Sequence, residues 1–250
     1  MIKIIKGENL EIKMDVETEY ENHRFETFFT KEPETISWIK SLFKPNDIFF
    51  DIGANVGIYS LFARSVFGDK IKIFSFEPAY HNFEKLCRNI ILNKFKKFFT
   101  PYCVAIGETT RFDIMNLASH VSGSASSMLS TAPKYLIENF ASEFSQGVFS
   151  VTLDDLFENY EFPCPQHIKI DIDGFEEKVI AGGCDILTDG NLKSVLIEIT
   201  DFDGSKERIK KIMHSAGFTS DHPINYQRDH SRERRQKSGK GMIENIIFTR

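Results

Sequence analysis

The sequence predicts an α/β fold in which a mostly parallel β-sheet is covered by helices on both faces. Short runs rich in β-branched and aromatic residues, such as Lys72 to Glu77 and Ser194 to Thr200, alternate with stretches of helical period. Helices between consecutive strands make crossover connections, which join parallel strands and are right-handed. The length of 250 residues is enough for one large domain with its own core.

The first 44 residues are predicted to form a cap, and the main domain would run from 45 to 250. Pro33 suits the first turn of a helix, and Pro45 lies just past its predicted end. The apolar residues that this helix would bury are Trp38, Ile39, Leu42 and Phe43.

The main domain is predicted to consist of strands and amphipathic helices in turn. The strands are Asp47 to Ile52, Lys72 to Glu77, His167 to Asp173, Ser194 to Thr200 and Glu244 to Thr249. Helical spacing relates Ile58, Leu61, Phe62 and Val66, then Phe83, Leu86, Cys87, Ile90 and Ile91, then Ile209, Ile212, Met213 and Ala216. Gly217 is a candidate C-cap of the last helix.

Two segments interrupt this alternation. Residues 107–150 are longer than an ordinary connection, which is typical of lids, binding loops or disorder. Their serine-rich part, Ser119 to Ser130, is either a mobile lid or a plain flexible loop, and we favour the loop. Residues 225–241 carry six cations against two acids. We favour a solvated hairpin tip there, with recognition of a phosphorylated substrate or an acidic partner surface as the alternative.

The composition excludes several classes of protein. Hydrophobic residues at 41% and charged residues at 27% are ordinary for a globular chain, and the net charge of −5 argues against a nucleic-acid binder. No apolar run approaches the roughly 18 residues of a membrane span, and no export signal is visible, so we expect a cytoplasmic protein. The four cysteines form no C-x-x-C pair and the seven histidines no H-x-x-x-H pattern, so no metal site of these types is predicted.

The strongest local signal is the segment from Phe49 to Ala63, in which a strand ends at Asp51 and turns through Gly53, Asn55 and Gly57 into a helix. Glycines let a ligand approach the backbone, and a helix N-terminus offers free N–H groups. Asn55 stands where a dinucleotide fingerprint has its second glycine, so the pattern predicts a nucleoside ligand without a pyrophosphate. The alternative is an ordinary glycine turn.

Acidic residues follow three of the predicted strands. Glu77 stands about 20 residues after the glycine turn, where a carboxylate accepts hydrogen bonds from ribose hydroxyls; a water-facing or capping carboxylate is the alternative. Asp171 and Asp173 follow a central strand, and either Asp171 is a general base or orients a substrate hydroxyl, or the pair holds a divalent metal ion. Helix capping is the structural alternative for Asp173. Glu198, near the end of the next strand, is a second candidate acid or base.

Taken together, the segments resemble the FkbM family of class I S-adenosylmethionine-dependent methyltransferases. The resemblance covers about residues 45–200 and rests on an ordered set of motifs rather than on one of them. The segments are DIGANVGIYS, FEPAYHNFEKLCRNI, CVAIG, SGSASS, VTLDDL, IKIDIDGFEEKVIAGG and VLIEI. Asp173 departs from the family pattern, which has Glu at that position.

The resemblance implies a Rossmann-like fold with a seven-stranded, mostly parallel sheet and one antiparallel strand near the C-terminus. It also implies S-adenosylmethionine as the cofactor and O-methylation of a hydroxyl on a sugar or another hydroxylated natural product. The methionine part would lie at the glycine turn, the ribose at Glu77 and the adenine at Ala105 and Ile106, with Asp171 or Glu198 acting on the acceptor. The implied cofactor-binding residues are Asp51, Gly53, Ala54, Asn55, Gly57, Ser60, Glu77, Pro78, Ala105 and Ile106.

Two other functions stay open from the sequence. One is a metal-dependent glycosyltransferase that uses Asp171 and Asp173, which leaves the glycine turn unexplained. The other is a non-catalytic binding subunit with a methyltransferase-like fold. The sequence predicts neither the identity of the acceptor nor the oligomeric state.

Overall fold

The computed structural model describes residues 1–7, 10–125, 127–130, 140–201, 204–224 and 242–250. The strands are β1 (Ile2–Gly7), β2 (Leu10–Asp15), β3 (Ile48–Ile52), β4 (Lys72–Phe76), β5 (Phe99–Tyr102), β6 (Ala105–Ile106), β7 (Arg111–Leu117), β8 (Ser127–Leu129), β9 (Phe144–Val151), β10 (His167–Ile170), β11 (Ser194–Asp201), β12 (Ser220–Ile224) and β13 (Met242–Thr249). The helices are α1 (Glu19–Glu26), α2 (Pro33–Leu42), α3 (Ile58–Phe67), α4 (Tyr80–Leu92), α5 (Leu153–Glu158), α6 (Glu176–Ala181), α7 (Cys184–Thr188) and α8 (Ser205–Ser215).

A central seven-stranded sheet organises the molecule, in the order β12-β13-β11-β10-β3-β4-β5. Strands β11, β10, β3, β4 and β5 are parallel, whereas β13 runs antiparallel to both of its neighbours. The predicted α/β fold, with seven mostly parallel strands and one antiparallel strand near the C-terminus, is confirmed.

The central strands are apolar on both faces because helices cover both. In β3, Phe49 packs into a cluster with α2, α3 and α4, whereas Phe50 packs on the other side with α5, α6, α7 and α8. Strand β11 alternates in the same way, with Leu196 on the first side and Ile197 on the second. Continuous apolar runs of this kind are typical of buried parallel strands.

The long segment 107–150 differs from the prediction of a lid or loop. Much of it forms a second sheet of four strands, in the order β6-β9-β7-β8. Strand β7 pairs antiparallel with β9 along its whole length, from Arg111 opposite Ser150 to Leu117 opposite Phe144. In β7 the side chains of Phe112 and Ile114 are exposed, whereas those of Met115 and Leu117 are buried. The sheet therefore buries one face only, and β7 contains no long run of buried apolar residues.

The N-terminal residues form a hairpin, β1 and β2, followed by α1 and α2. Helix α2 begins at Pro33 as predicted and buries Trp38, Ile39 and Phe43, but Leu42 is exposed because it faces away from the sheet. The N–H of the Trp38 indole donates to Ser194 Oγ at 2.9 Å, and the same oxygen lies 2.7 Å from Nδ1 of His167. These contacts attach the N-terminal segment to the central sheet, while a division into two domains at residue 44 stays a prediction.

The basic segment 225–241 lies outside the described residues, so its predicted hairpin tip stays a prediction. In the part of the chain that the structure covers, no helix is long and apolar enough to cross a membrane.

Candidate active site

A cleft opens at the carboxyl ends of β3, β4 and β10. Ligands of open α/β sheets bind at this edge, where the loops that follow the strands diverge. Nine predicted site residues line the cleft: Gly53, Ala54, Asn55, Glu77, Pro78, Ala105, Ile106, Asp171 and Glu198. One wall also contains Phe76 and Val104, which makes the side near Ala105 and Ile106 apolar.

The two glycines of the turn are required by the packing of the protein itself. Gly53 has φ of +78°, and a Cβ there would lie 1.9 Å from the carbonyl oxygen of Asp171. Gly57 has φ of +89°, and a Cβ there would lie 2.4 Å from Cδ1 of Leu86. The left-handed backbone and these close approaches exclude other side chains. The glycines, which were predicted for the approach of a ligand with an ordinary turn as the alternative, are thus required by the fold whether or not a ligand binds.

Three residues predicted to surround the cofactor are not among those that line the cleft: Asp51, Gly57 and Ser60. The Ser60 hydroxyl donates to Oδ2 of Asp51 at 2.6 Å and lies 2.6 Å from the Ser75 hydroxyl. Asp51 is only 1% exposed, and burial raises the pKa of its carboxyl. The side chains of Asp51 and Ser60 thus bond to one another rather than line the cleft, and their direct contact with the cofactor stays a prediction.

Glu77 faces the cleft from the end of β4. Its two carboxylate oxygens accept backbone N–H groups, one from Asn55 at 2.8 Å and one from Ala79 at 2.9 Å. Each oxygen retains further acceptor capacity. Burial raises the pKa of Glu77 to about 7, although both backbone N–H groups act to lower it.

The serine-rich segment lies along one side of the cleft. The side chains of Thr18, Asn55 and Asn82 hold its backbone there. Asn82 accepts from the Gly123 N–H at 2.8 Å, and its amide donates to the Ser124 carbonyl at 3.2 Å. The Asn55 amide donates to the same Ser124 carbonyl at 2.8 Å, and Thr18 Oγ donates to the Ser122 carbonyl at 2.8 Å. Ser122 to Ser124 is therefore an attached cover, which differs from the plain loop that we favoured.

Asp171 also lines the cleft and is paired with a buried lysine. The Lys169 ammonium donates to Oδ2 of Asp171 at 2.6 Å and lies 3.9 Å from the nearest oxygen of Glu32. Burial would raise the pKa of Asp171, but the charge of Lys169 outweighs it and holds that pKa at about 2. A carboxylate with so low a pKa is a weak base and a permanent negative charge.

Glu198 has the opposite titration behaviour. Burial, reinforced by the negative charges of Asp171 and Glu32, raises its pKa to about 8. A general base is most effective when its pKa lies near the working pH, so Glu198 fits proton removal better than Asp171 does.

Glu32, Asp171 and Glu198 bring one carboxylate oxygen each within 4.8 Å of one another. The pair named in the sequence analysis, Asp171 with Asp173, is not this group. The Lys169 ammonium already lies against Asp171 and near Glu32, where it balances their charge. The N-cap residue of α6 is Phe175, which makes no side-chain cap, and helix capping by Asp173 stays a prediction.

Several polar residues of the cleft were missed from the sequence, among them Arg24, Lys31, Tyr59 and Lys169. Lys169 left a signal, because a lysine between two isoleucines of a buried strand is rarely tolerated without a charged partner. Arg24 and Lys31 left none, since they belong to the N-terminal segment and only the fold brings them to the sheet edge.

The fold and the cleft define the class of protein as a class I methyltransferase domain, with a glycine turn after the first central strand and an acidic residue after the second. The family model of the methyltransferase FkbM domain matches residues 51–220, more than half of the chain. The chain belongs to the FkbM methyltransferase family.

Individual relatives are distant. Hexuronic acid methyltransferase AglP of Haloferax volcanii is 24% identical over 168 residues, which are 67% of this chain and 62% of that protein. The chain therefore spans less than two thirds of the length of this relative.

Solved structures agree with the family. An FkbM methyltransferase from Methylobacillus flagellatus superposes with a TM-score of 0.56 at 12% identity, over 93% of this chain and 56% of that one. A putative rRNA methylase from Clostridium thermocellum superposes with a TM-score of 0.51 at 9% identity, over 87% and 93% of the two chains. At such identities the likeness shows the fold alone.

Proposed function

We propose that this protein transfers a methyl group from S-adenosylmethionine to a hydroxyl of a sugar-like acceptor. The observation that carries the proposal is the cleft itself, which is lined by the Glu77 carboxyl group and by two carboxyl groups of opposite titration behaviour, Asp171 and Glu198. The family supports the reaction class, and the residues that line the cleft support the choice of donor.

The donor set of the cleft fits this cofactor. Glu77 has acceptor capacity left on both oxygens after its two backbone hydrogen bonds, which suits the two hydroxyls of a ribose. The apolar wall of Phe76, Ala105 and Ile106 suits an adenine ring, and Gly53 and Ala54 would lie along the amino-acid part. When bound, S-adenosylmethionine supplies a methyl group on a sulfonium sulfur, which is already activated toward an oxygen nucleophile.

A second group of residues that line the cleft would prepare the acceptor. The ionised carboxylate of Glu198 would accept the proton of the acceptor hydroxyl and later release it to water. Asp171 would orient that hydroxyl as a hydrogen-bond acceptor, since its pKa is too low for a useful base. The Lys169 ammonium, which gives one of its three N–H bonds to Asp171, would stabilise negative charge on the acceptor oxygen. The cover at Ser122 to Ser124 would exclude water.

A carbohydrate acceptor is supported by the relative from Haloferax volcanii, whose name gives a hexuronic acid as its substrate. Asp171 and Glu198 suit a hydroxyl acceptor of this kind, because an alcohol needs help to lose its proton.

Binding of S-adenosylhomocysteine, measured by calorimetry, tests the donor assignment. Replacement of Glu77 by Ala should weaken binding ten- to hundred-fold, since hydrogen bonds to a charged group contribute about 1.5–3 kcal/mol. Wild-type protein that binds no S-adenosylhomocysteine would refute the proposal, and an unchanged Glu77→Ala variant would remove that residue from the cofactor site. A screen of sugars with labelled cofactor, analysed by mass spectrometry, would then identify the acceptor.

The glycosyltransferase alternative loses its basis, because the chain belongs to a methyltransferase family and its acidic group is Glu32, Asp171 and Glu198. A non-catalytic subunit of the same fold would bind S-adenosylhomocysteine and give no methylated product in the screen.

A further inference from the structure

Arg24 is a cation of α1 that lines the cleft although it lies outside the segment that the family model matches. A guanidinium has five N–H donors in a planar fork. Nε of Arg24 donates to the Gly123 carbonyl at 2.8 Å. Within the described part of the chain, the terminal NH₂ groups of Arg24 have no hydrogen-bond acceptor and no carboxylate partner.

The position of Arg24 is set from two sides. Its bond to Gly123 fixes the base of the guanidinium against the cover of the cleft. Gly123 in turn packs so closely on α1 that a Cβ there would lie 2.9 Å from the backbone nitrogen of Glu21. The charge of Arg24 acts to lower the pKa of both Glu77 and Asp171, so the guanidinium is within electrostatic reach of both carboxyl groups.

Lys31, the neighbouring cation of the N-terminal segment, already has a carboxylate partner. Its ammonium is paired with Glu32 at 2.9 Å, and Lys169 is paired with Asp171. Arg24 is thus the cation of this cleft whose donors are available to a ligand, as far as the described residues extend.

We propose that Arg24 is a carboxylate-binding residue of the cleft, whose terminal NH₂ groups form a bidentate pair with a carboxylate of a bound ligand. A planar fork of N–H donors matches the two oxygens of a carboxylate, and such pairs are among the strongest hydrogen bonds in proteins. The inference rests on the proposed function, which offers two sources of a carboxylate. One is the amino-acid part of the cofactor, and the other is an acidic sugar acceptor.

Two pairs of probes that differ in a carboxylate test the inference by calorimetry. S-adenosylhomocysteine has the amino-acid carboxylate, whereas 5′-methylthioadenosine keeps the nucleoside and the sulfur without it. D-glucuronate has a carboxylate that D-glucose lacks, and both sugars are tested on protein saturated with S-adenosylhomocysteine. We expect Arg24→Gln to weaken the carboxylate-bearing member of one pair ten- to hundred-fold and to leave its partner within two-fold of wild type.

The affected pair identifies the source of the carboxylate. Arg24→Lys keeps the charge but loses the fork, so it should recover only part of the affinity. Arg111→Gln removes a similar charge outside this cleft and should leave all four affinities unchanged.

Two results would overturn the inference. One is that Arg24→Gln changes neither pair. The other is that it weakens both members of a pair equally, as a loosened cover at Gly123 would do. Failure of the proposed function is distinguishable from these results, because wild-type protein would then bind neither adenosine compound.

Discussion

Two carboxyl groups of one cleft, Asp171 and Glu198, have pKa values on opposite sides of their ordinary range. Lys169 stabilises the charge of Asp171, whereas Asp171 and Glu32 oppose ionisation of Glu198. When the surroundings of two neighbouring acids lower one pKa and raise the other, the first typically serves as a fixed charge and the second as a proton acceptor. This difference supports the proposed roles without any reference to the acceptor.

The coupling can be measured on the protein alone. Asp171→Asn should lower the pKa of Glu198 from about 8, because the variant removes a negative charge that opposes ionisation. Lys169→Met should raise it, because a favourable positive charge is lost. A ¹³C NMR titration of the glutamate carboxyls, with Glu198→Gln to assign the resonance, measures both shifts. Shifts in the same direction in the two variants would contradict the arrangement.

Residues that directly follow a strand were the ones that could be predicted. Gly53, Glu77 and Asp171 each follow a strand, and the carboxyl ends of parallel strands meet at one sheet edge. Glu32 and Arg24 could not be found in this way, since no spacing relates them to the strands. The titration of Asp171 was also beyond the sequence, because it depends on where the Lys169 ammonium points.

At the level of elements, the loops that follow β3 and β10 are in such close contact that no side chain fits between them at Gly53. A Cβ at Gly53 would overlap the Asp171 carbonyl oxygen, which belongs to the backbone and cannot turn aside as a side chain could. The glycine turn therefore also fixes where Asp171 lies relative to the turn.

Gly53→Ala should destabilise the protein by about 3 kcal/mol, because it combines left-handed strain with a backbone clash. Gly217→Ala is the matched control. Gly217 has φ of +93°, but its Cβ would meet its nearest neighbour, Nε of Arg250, only at 4.0 Å, so about 1 kcal/mol is expected. Urea denaturation of both variants measures the difference in the free energy of unfolding. Equal losses would show that the close approach at Gly53 is relieved at little cost.

Hydrophobic periodicity predicted the central sheet well and the second sheet not at all. Strands β3 and β11 contain runs of consecutive apolar residues because both of their faces are covered, and in β10 two isoleucines alternate with His167 and Lys169. Strands β7 and β9 pair across a long stretch of sequence and expose one face, so they gave neither a buried run nor a hairpin turn signal. The second sheet was therefore taken for a long connection.

For the molecule as a whole, buried acids with raised pKa values make stability depend on pH. Burial is the main cause for Glu77, at about 7, and for Glu176 and Glu198, each at about 8. Between their ordinary and raised values these groups are protonated in the folded protein and ionised in the unfolded chain. Stability therefore falls as the pH rises through the folded values.

The free energy of unfolding should decrease by up to about 4 kcal/mol between pH 6.5 and 8.5. Burial lowers the pKa of His167 to about 4, so this residue makes stability rise with pH. That rise ends near the ordinary pKa of histidine, which is below most of the range from pH 6.5 to 8.5. Urea denaturation at several pH values measures the slope. Glu176→Gln should make this slope less steep, because it removes one of the groups that bind a proton in the folded protein but not in the unfolded chain. A free energy of unfolding that rises between pH 6.5 and 8.5 would contradict the raised pKa values.

The contact between the Trp38 indole and Ser194 gives the molecule a built-in optical reporter. The chain has a single tryptophan, and it sits at the junction of α2 with the central sheet. Its emission should be that of an apolar environment while α2 is docked, and should move to longer wavelength when the helix detaches. If circular dichroism and this fluorescence change together during denaturation, the N-terminal segment and the sheet unfold as one cooperative unit. An earlier fluorescence change would instead reveal a partly opened form in which Arg24 and Lys31 have left the cleft.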